Sequence, residues 1–236
     1  MNAALAYLYP SQCVGCGEFV DSENGLCASC WGETPFVAGA VCDCCGAPLV
    51  GGDEMDRDTC DDCLKTPRPW SQGRTALIYA RRGRRLALSL KHGGREDIAE
   101  TAGLWMARAA SEITHDNTVL VPVPLHWLRL IGRRYNQSAL LADAVARTIG
   151  RPVIHDALKR PVATRKLDHL SPGERFGVLA KAISPNPKRD IAGKAVLLVD
   201  DVMTSGATLA ASTHAALKAG AARVDVLTLA RAVRDA

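Results

Sequence analysis

Nine cysteines occur in the chain, yet none lies beyond residue 63, so the last 173 residues have neither disulfides nor thiolate chemistry to use. Aromatic residues make up only 5% of the 236, which leaves little surface on which nucleobases could stack. No run of about 18 apolar residues is present, and that excludes a helical membrane span. No glycine-rich loop ends in the Lys-Ser/Thr pair of an NTPase, and no GxGxxG follows a strand, so nucleotide hydrolysis and dinucleotide binding are not expected. The opening stretch MNAALAYLYPSQCVGCG lacks the basic start and cleavage pattern of a secretory signal. The expected location is therefore cytoplasmic, where structural disulfides are rare.

What is present falls into two parts. Hydrophobic residues make up 47% of the chain, enough for a medium domain with a real core and a small one beside it. Residues 1–70 hold 3 Lys/Arg against 11 Asp/Glu, and the remainder 26 against 14. An acidic head of charge −8 thus precedes a basic body of +12, with the break near TPRPW at residues 66–70. A basic body attracts phosphate-bearing ligands or nucleic acid. We place the head at 1–68 and the body at 69–236.

The cysteines of the head come in pairs two residues apart: Cys13 and Cys16, Cys27 and Cys30, Cys42 and Cys45, Cys60 and Cys63. Each pair offers two sulfurs to one metal, and the glycine after Cys16 and after Cys45 permits the tight turn this needs. Eight thiolates suit two structural Zn2+ ions, and metal binding would supply folding energy that so small an apolar content cannot. Whether the pairs combine sequentially or interleave is left open by spacing alone. Cys44 does not keep the two-residue spacing and reads as a spare thiol. Sites closed by four sulfurs leave no position for a substrate, so the head is expected to be a scaffold or docking surface.

In the body, RTALIYA, NTVLVPVPLH, RPVIHDAL, KAVLLVDD and RVDVLTLARAV read as strands, and helical periodicity falls between them. Alternation of this kind predicts an α/β domain with a mostly parallel sheet flanked by helices. Ligands of such sheets sit beyond the carboxyl ends of the strands. That is where Asp200 and Asp201 lie, at the end of the apolar run VLLV, followed by Thr204, Ser205, Gly206, Ala207 and Thr208 leading into a helix. Small hydroxyl residues and a glycine at a helix N-terminus make an anion site. Two carboxylates beside it cannot hold the anion. They can accept hydrogen bonds from sugar hydroxyls nearby and stabilise a cation developing on the sugar. A ribose 5-phosphate unit fits both halves.

The stretch VLLVDDVMTSGAT closely resembles the signature of type I phosphoribosyltransferases, which bind 5-phosphoribosyl-1-pyrophosphate. Together with the cysteine pairs, YARRGRRLALSLKHGG and VPVPLHWLRLIGRRYNQSALLA, it makes the whole chain resemble the competence protein F (ComF) family. That resemblance implies a type I phosphoribosyltransferase-like body preceded by a double zinc ribbon. It also implies phosphoribosyl pyrophosphate bound with Mg2+, a part in uptake of single-stranded DNA, and a helicase or DNA-uptake pore component as partner. It points to Lys91, Arg129, Arg133 and Arg134 as pyrophosphate-binding candidates and to ATRKLDHLSPGERF as a lid. At two lid positions where family members often carry amides, this chain has Leu167 and Val178. His92, His126 and His214 read as polar surface or helix residues rather than bases, and RRGRR at 81–85 as either a phosphate contact or an exposed basic turn.

Overall fold

The computed structural model describes residues 10–21, 25–49, 51, 58–92, 94–126, 130, 135–161 and 182–233. The head contributes two short helices, α1 (Ala28–Glu33) and α2 (Asp61–Lys65). The body begins with β1 (Gly73–Ile78), α3 (Arg81–His92), α4 (Ile98–Ala109) and β2 (Thr118–Pro122). It continues through α5 (Gln137–Ile149), β3 (Leu158–Lys159), β4 (Ser184–Pro185), β5 (Ala195–Met203), α6 (Ala207–Lys218) and β6 (Arg223–Arg231).

Four strands form one sheet in the order β1-β6-β5-β2, and all three pairings are parallel. Alternate residues of a strand face opposite ways. Leu197 and Val199 of β5 accordingly join a core with Leu90, Met106 and Leu141 of α3, α4 and α5. Val196 and Leu198 join a second core with Leu209 and Ala216 of α6. Both faces being covered, β5 is apolar from Ala195 to Val199.

Two expectations change. RPVIHDAL, read as one strand, is a single parallel bridge from Val153 to Leu120 and then the two-residue strand β3, which pairs antiparallel with β4. The chain turns between them at Asp156, whose side chain accepts from Asn186 Nδ2 (3.2 Å) and Arg189 Nε (2.6 Å). The cysteine region, read without any repeat beyond its pairs, is a duplicated unit. Gly17 and Gly46 donate to Cys13 and Cys42 carbonyls at 2.8 Å, with matching bridges Gln12–Phe19 and Val41–Pro48.

The head is built against the sheet. Residues 35–37 add to the open edge of β1, through Ile78 N–H to Pro35 O and Val37 N–H to Ala76 O, both 2.9 Å, and so cover an edge strand. A Cβ on Gly73 would lie 2.4 Å from Cys44 O, and one on Gly46 would lie 2.5 Å from Thr75 N. The second cysteine unit and the start of β1 therefore meet backbone to backbone. The TPRPW segment is embedded: Trp70 is buried and donates from Nε1 to Cys44 O at 2.5 Å. Among the described residues no helix is long and apolar enough to cross a membrane.

Candidate functional site

The cysteine pairs combine sequentially. Cys13, Cys16, Cys27 and Cys30 form one group and Cys42, Cys45, Cys60 and Cys63 another, with the sulfurs of each group within 4.8 Å of one another. Four Zn–S bonds of about 2.3 Å place sulfurs about 3.8 Å apart at the corners of a tetrahedron. Cys16–Cys27 and Cys45–Cys60 sulfurs are both 3.7 Å apart, so the residues present fit the ion. Backbone amides already point at the sulfurs, from Cys27 to Cys13 at 3.2 Å and from Cys60 to Cys42 at 3.3 Å.

The crowding of sulfurs is visible in their acidity. Hydrogen bonds from Cys45 and Cys63 pull the Cys42 thiol far below the usual range. The same contact, seen from its partners, pushes Cys45 up to about 12 and Cys63 higher still. A dication in place of the shared protons lets all four sulfurs ionise. Cys44 stands outside the group, its sulfur 3.9 Å from Thr59 Oγ1.

At the sheet rim, β5 runs through Asp200 and Asp201, as KAVLLVDD leads one to expect, and on to Met203. Its neighbour β2 ends earlier, at Pro122 opposite Val199. Beyond that point the acids serve the backbone: Asp201 N–H donates to Asp200 Oδ1 (2.9 Å) and Val202 N–H to Asp201 Oδ1 (2.8 Å). As consecutive strand residues the two carboxylates diverge. Asp200 Oδ1 accepts from Ser138 Oγ at 2.8 Å, in the first turn of α5. Asp201 Oδ2 lies 3.6 Å from Lys91 Nζ, at the end of α3. Burial first, then the charge of Asp201, pushes the Asp200 carboxyl up to about 7.

The residues that hold this arrangement come from YNQS, which spacing alone did not single out for a role. Asn136 caps α5, accepting from Ser138 N–H at 3.1 Å, and its Nδ2 donates to Val123 O at 3.2 Å. Tyr135 Oη donates to Leu90 O (2.7 Å) and Gln137 Nε2 to Lys91 O (3.2 Å), fixing the end of α3 that carries Lys91. The signal available was the cap itself, Asn followed by a helical run.

The loop after β5 enters α6 through Gly206, whose φ of +78° strains any side-chain-bearing residue. No side chain caps α6, and the one hydrogen bond to the amides of Ser205 to Thr208 among the described residues is from Ala207 N–H to Ser205 Oγ at 3.4 Å. The amides of Ser205, Gly206 and Thr208 thus have no hydrogen-bond acceptor among the described residues.

Of the other expected residues, Arg129, Arg133, Arg134, the lid stretch 163–176 and Val178 lie outside the described residues, as does the side chain of His92. His126 is neither on the surface nor in a helix: it is buried beyond the proline-terminated β2, at the same rim as the acids. His214 is exposed on α6. RRGRR is the first turn of α3, with Arg81, Arg84 and Arg85 exposed. Arg82 within it docks the first cysteine unit, donating to Gly15 O (3.1 Å) and Glu33 Oε2 (2.7 Å).

Comparison with known proteins agrees with this architecture. Residues 4–64 match the family model "Double zinc ribbon domain" and residues 136–235 the model "Phosphoribosyl transferase domain". "DNA utilization protein YhgH" of Salmonella typhi is 31% identical over 228 residues, covering 88% of this chain and 97% of that protein. "Competence protein F" of Haemophilus influenzae is 29% identical over 228 residues, covering 94% and 97%. The chain belongs to the competence protein F family. Its body is phosphoribosyltransferase-like and its head a cysteine-rich zinc ribbon module, as for the family. A hypoxanthine-guanine phosphoribosyltransferase of Bacillus anthracis is 18% identical over 58% of this chain and 70% of that one, at a TM-score of 0.40, a likeness too loose to carry residue roles across.

Proposed function

We propose that this member of the competence protein F family binds 5-phosphoribosyl-1-pyrophosphate with Mg2+ at the rim of β5 and serves the uptake or use of single-stranded DNA. The observation that carries the reading is the pair Asp200 and Asp201 joined to an uncapped helix start, with Lys91 Nζ 3.6 Å from Asp201. In this reading the Ser205 to Thr208 amides and hydroxyls hold the 5′-phosphate. The two carboxylates accept from the ribose hydroxyls and favour positive charge at the anomeric carbon. Lys91, with Arg129, Arg133 and Arg134, faces the diphosphate, whose charge Mg2+ neutralises when bound. Residues 1–68 act as the zinc-held docking unit, residues 69–236 as the ligand-binding unit, in the cytoplasm and beside a helicase or pore component.

Calorimetry with phosphoribosyl pyrophosphate and Mg2+ tests this. The wild type is expected to bind, and a double Asp200→Ala/Asp201→Ala variant to lose at least tenfold in affinity. Identical weak binding by the two proteins would sink the reading. Product analysis with a panel of nucleobases then separates a transferase from a binder.

A second reading, direct handling of single-stranded nucleic acid, draws on the +12 charge of the body and on the name of the Salmonella relative. Its test is an anisotropy titration with an oligonucleotide. Affinity should fall steeply between about 50 and 200 mM salt if several phosphates are neutralised. No binding at low salt counts against it.

A further inference from the structure

The loop proposed to hold the phosphate is strapped to the second cysteine group by two arginines. Arg68, just past α2, donates from Nη1 to Ser205 O at 2.6 Å and from Nε to Cys63 Sγ at 3.4 Å. Arg231, 3% exposed, donates from Nη1 to Thr204 O at 2.7 Å and Met203 O at 3.3 Å, while Nη2 faces Asp62 Oδ2 of α2 at 3.5 Å. Three successive carbonyls thus face the two guanidinium groups, Ser205 O that of Arg68 and Thr204 O and Met203 O that of Arg231. A trans peptide is planar, so its N–H points opposite to its C=O. Holding the carbonyls of Thr204 and Ser205 there turns the amides of Ser205 and Gly206 the other way. Gly206 is pressed into place as well, since a Cβ there would lie 2.9 Å from Arg68 Nη1 and 3.1 Å from Trp70 Cη2.

We infer that the Cys42/Cys45/Cys60/Cys63 centre is the anchor that aims the Ser205 and Gly206 amides, with Arg68 as the positioning residue, so that metal held there and a phosphomonoester held by the loop stabilise each other. Four thiolates on one Zn2+ carry a net charge of −2, and a guanidinium donating to one sulfur is held as a partner of the metal site. Lose the metal and α2, Arg68 and the Asp62 partner of Arg231 lose their frame. The amides are then no longer presented together. Coupling of this kind is reciprocal: whatever the metal gains for the ligand, the ligand gains for the metal. The inference rests on the phosphosugar reading above and extends it to what governs that site.

The experiment uses the full zinc-loaded chain, with ribose 5-phosphate as the probe and a chelator of matched affinity competing for zinc. In the wild type, saturating ribose 5-phosphate is expected to raise the zinc affinity of one of the two centres about tenfold. In Arg68→Met the gain should shrink below about twofold, with two zinc ions per chain still bound at the start. Equal gains in both proteins, or none in a wild type that calorimetry shows to bind the probe, overturn the inference. If Arg68→Met does not hold two zinc ions, Arg68→Lys, which keeps the charge and loses the fork, replaces it under the same criterion.

If the wild type does not bind ribose 5-phosphate, the phosphosugar reading is decided by the calorimetry with phosphoribosyl pyrophosphate, and the strap is judged by hydrogen exchange alone. The reporters are the Ala210 amide, bonded to Gly206 O, and the Ala232 amide, bonded to Met203 O. Removing zinc should speed their exchange about tenfold relative to the centre of β5, and unchanged rates overturn the strap.

Discussion

Asp200 is the residue whose environment asks most of it. Its carboxyl is moved from an ordinary 3.8 to about 7 because burial and the neighbouring Asp201 both oppose its charge. Ser138 and the Asp201 amide recover part of that cost. Between about pH 4 and pH 7 the folded protein keeps a proton that the unfolded chain has lost. Stability of the ligand-free protein therefore falls as pH rises through that window and levels off above it. Asp200→Asn keeps an oxygen for Ser138 and removes the charge. It is expected to match the wild type near pH 4 and to exceed it by roughly 2–4 kcal/mol at pH 8. Urea titrations of both proteins at the two pH values check this. A difference that is constant with pH would show that Asp200 does not titrate in the window, and a charge that is costly without ligand would no longer be an argument for a site.

At the scale of elements, the framing of the rim depends on how closely α4 and α5 cross. A Cβ on Gly103 of α4 would lie 2.4 Å from the Cβ of Ala144 and 2.9 Å from its carbonyl carbon, so the helices touch where neither has room to give. Gly103→Ala is expected to destabilise by about 1–3 kcal/mol through overpacking, although alanine is the better helix former. Leu104→Ala, one residue on and exposed, should change stability by less than about 0.5 kcal/mol. The cap of α5 gives a second check. Asn136→Ala should cost about 1–2 kcal/mol and lower the melting temperature by a few degrees, since it frees both the Ser138 amide and Val123 O.

Much of this level was legible in the sequence. β1, β2, β5 and β6 each contain apolar residues at strand spacing, and the acids follow the most apolar stretch, Ala195 to Val199, within β5. What was hidden is what depends on distance along the chain. The ladder partners, the place of Ser138 against Asp200 and the Lys91–Asp201 pair join residues at least 25 positions apart, which no local spacing encodes. The duplication of the head was visible as CxxCG at 13 and again at 42, but only the matching amide-to-carbonyl bonds make it a structural repeat.

For the molecule as a whole, the charge contrast between head and body is a contact as much as a composition. Asp43 pairs with Arg74, Glu33 with Arg82 and Asp62 with Arg231, each an acid of the head against an arginine of the body. The two halves of the head are nonetheless joined to the body differently. Cys42, Cys45 and Cys63 lie in the same apolar core as Leu198, Met203 and Leu209, so the second centre is part of what holds the sheet and α6 together. The first centre reaches the body through Val14, Arg82 and Arg95 at its margin, and its Cys16 is exposed. Loss of one ligand should therefore have unequal consequences. Cys16→Ser is expected to bind one zinc ion instead of two and to leave the unfolding of the body within about 1 kcal/mol of wild type, because what it loosens is local. Cys45→Ser is also expected to lose one zinc ion, but with a loss of more than about 3 kcal/mol in the unfolding of the whole chain, because buried sulfurs left without their metal sit inside the common core. Metal analysis with denaturant unfolding followed by both far-ultraviolet circular dichroism and tryptophan fluorescence distinguishes the two. Equal destabilisation by the two substitutions would mean that the first unit is as deeply joined to the body as the second, and the asymmetry drawn from the cores would be wrong.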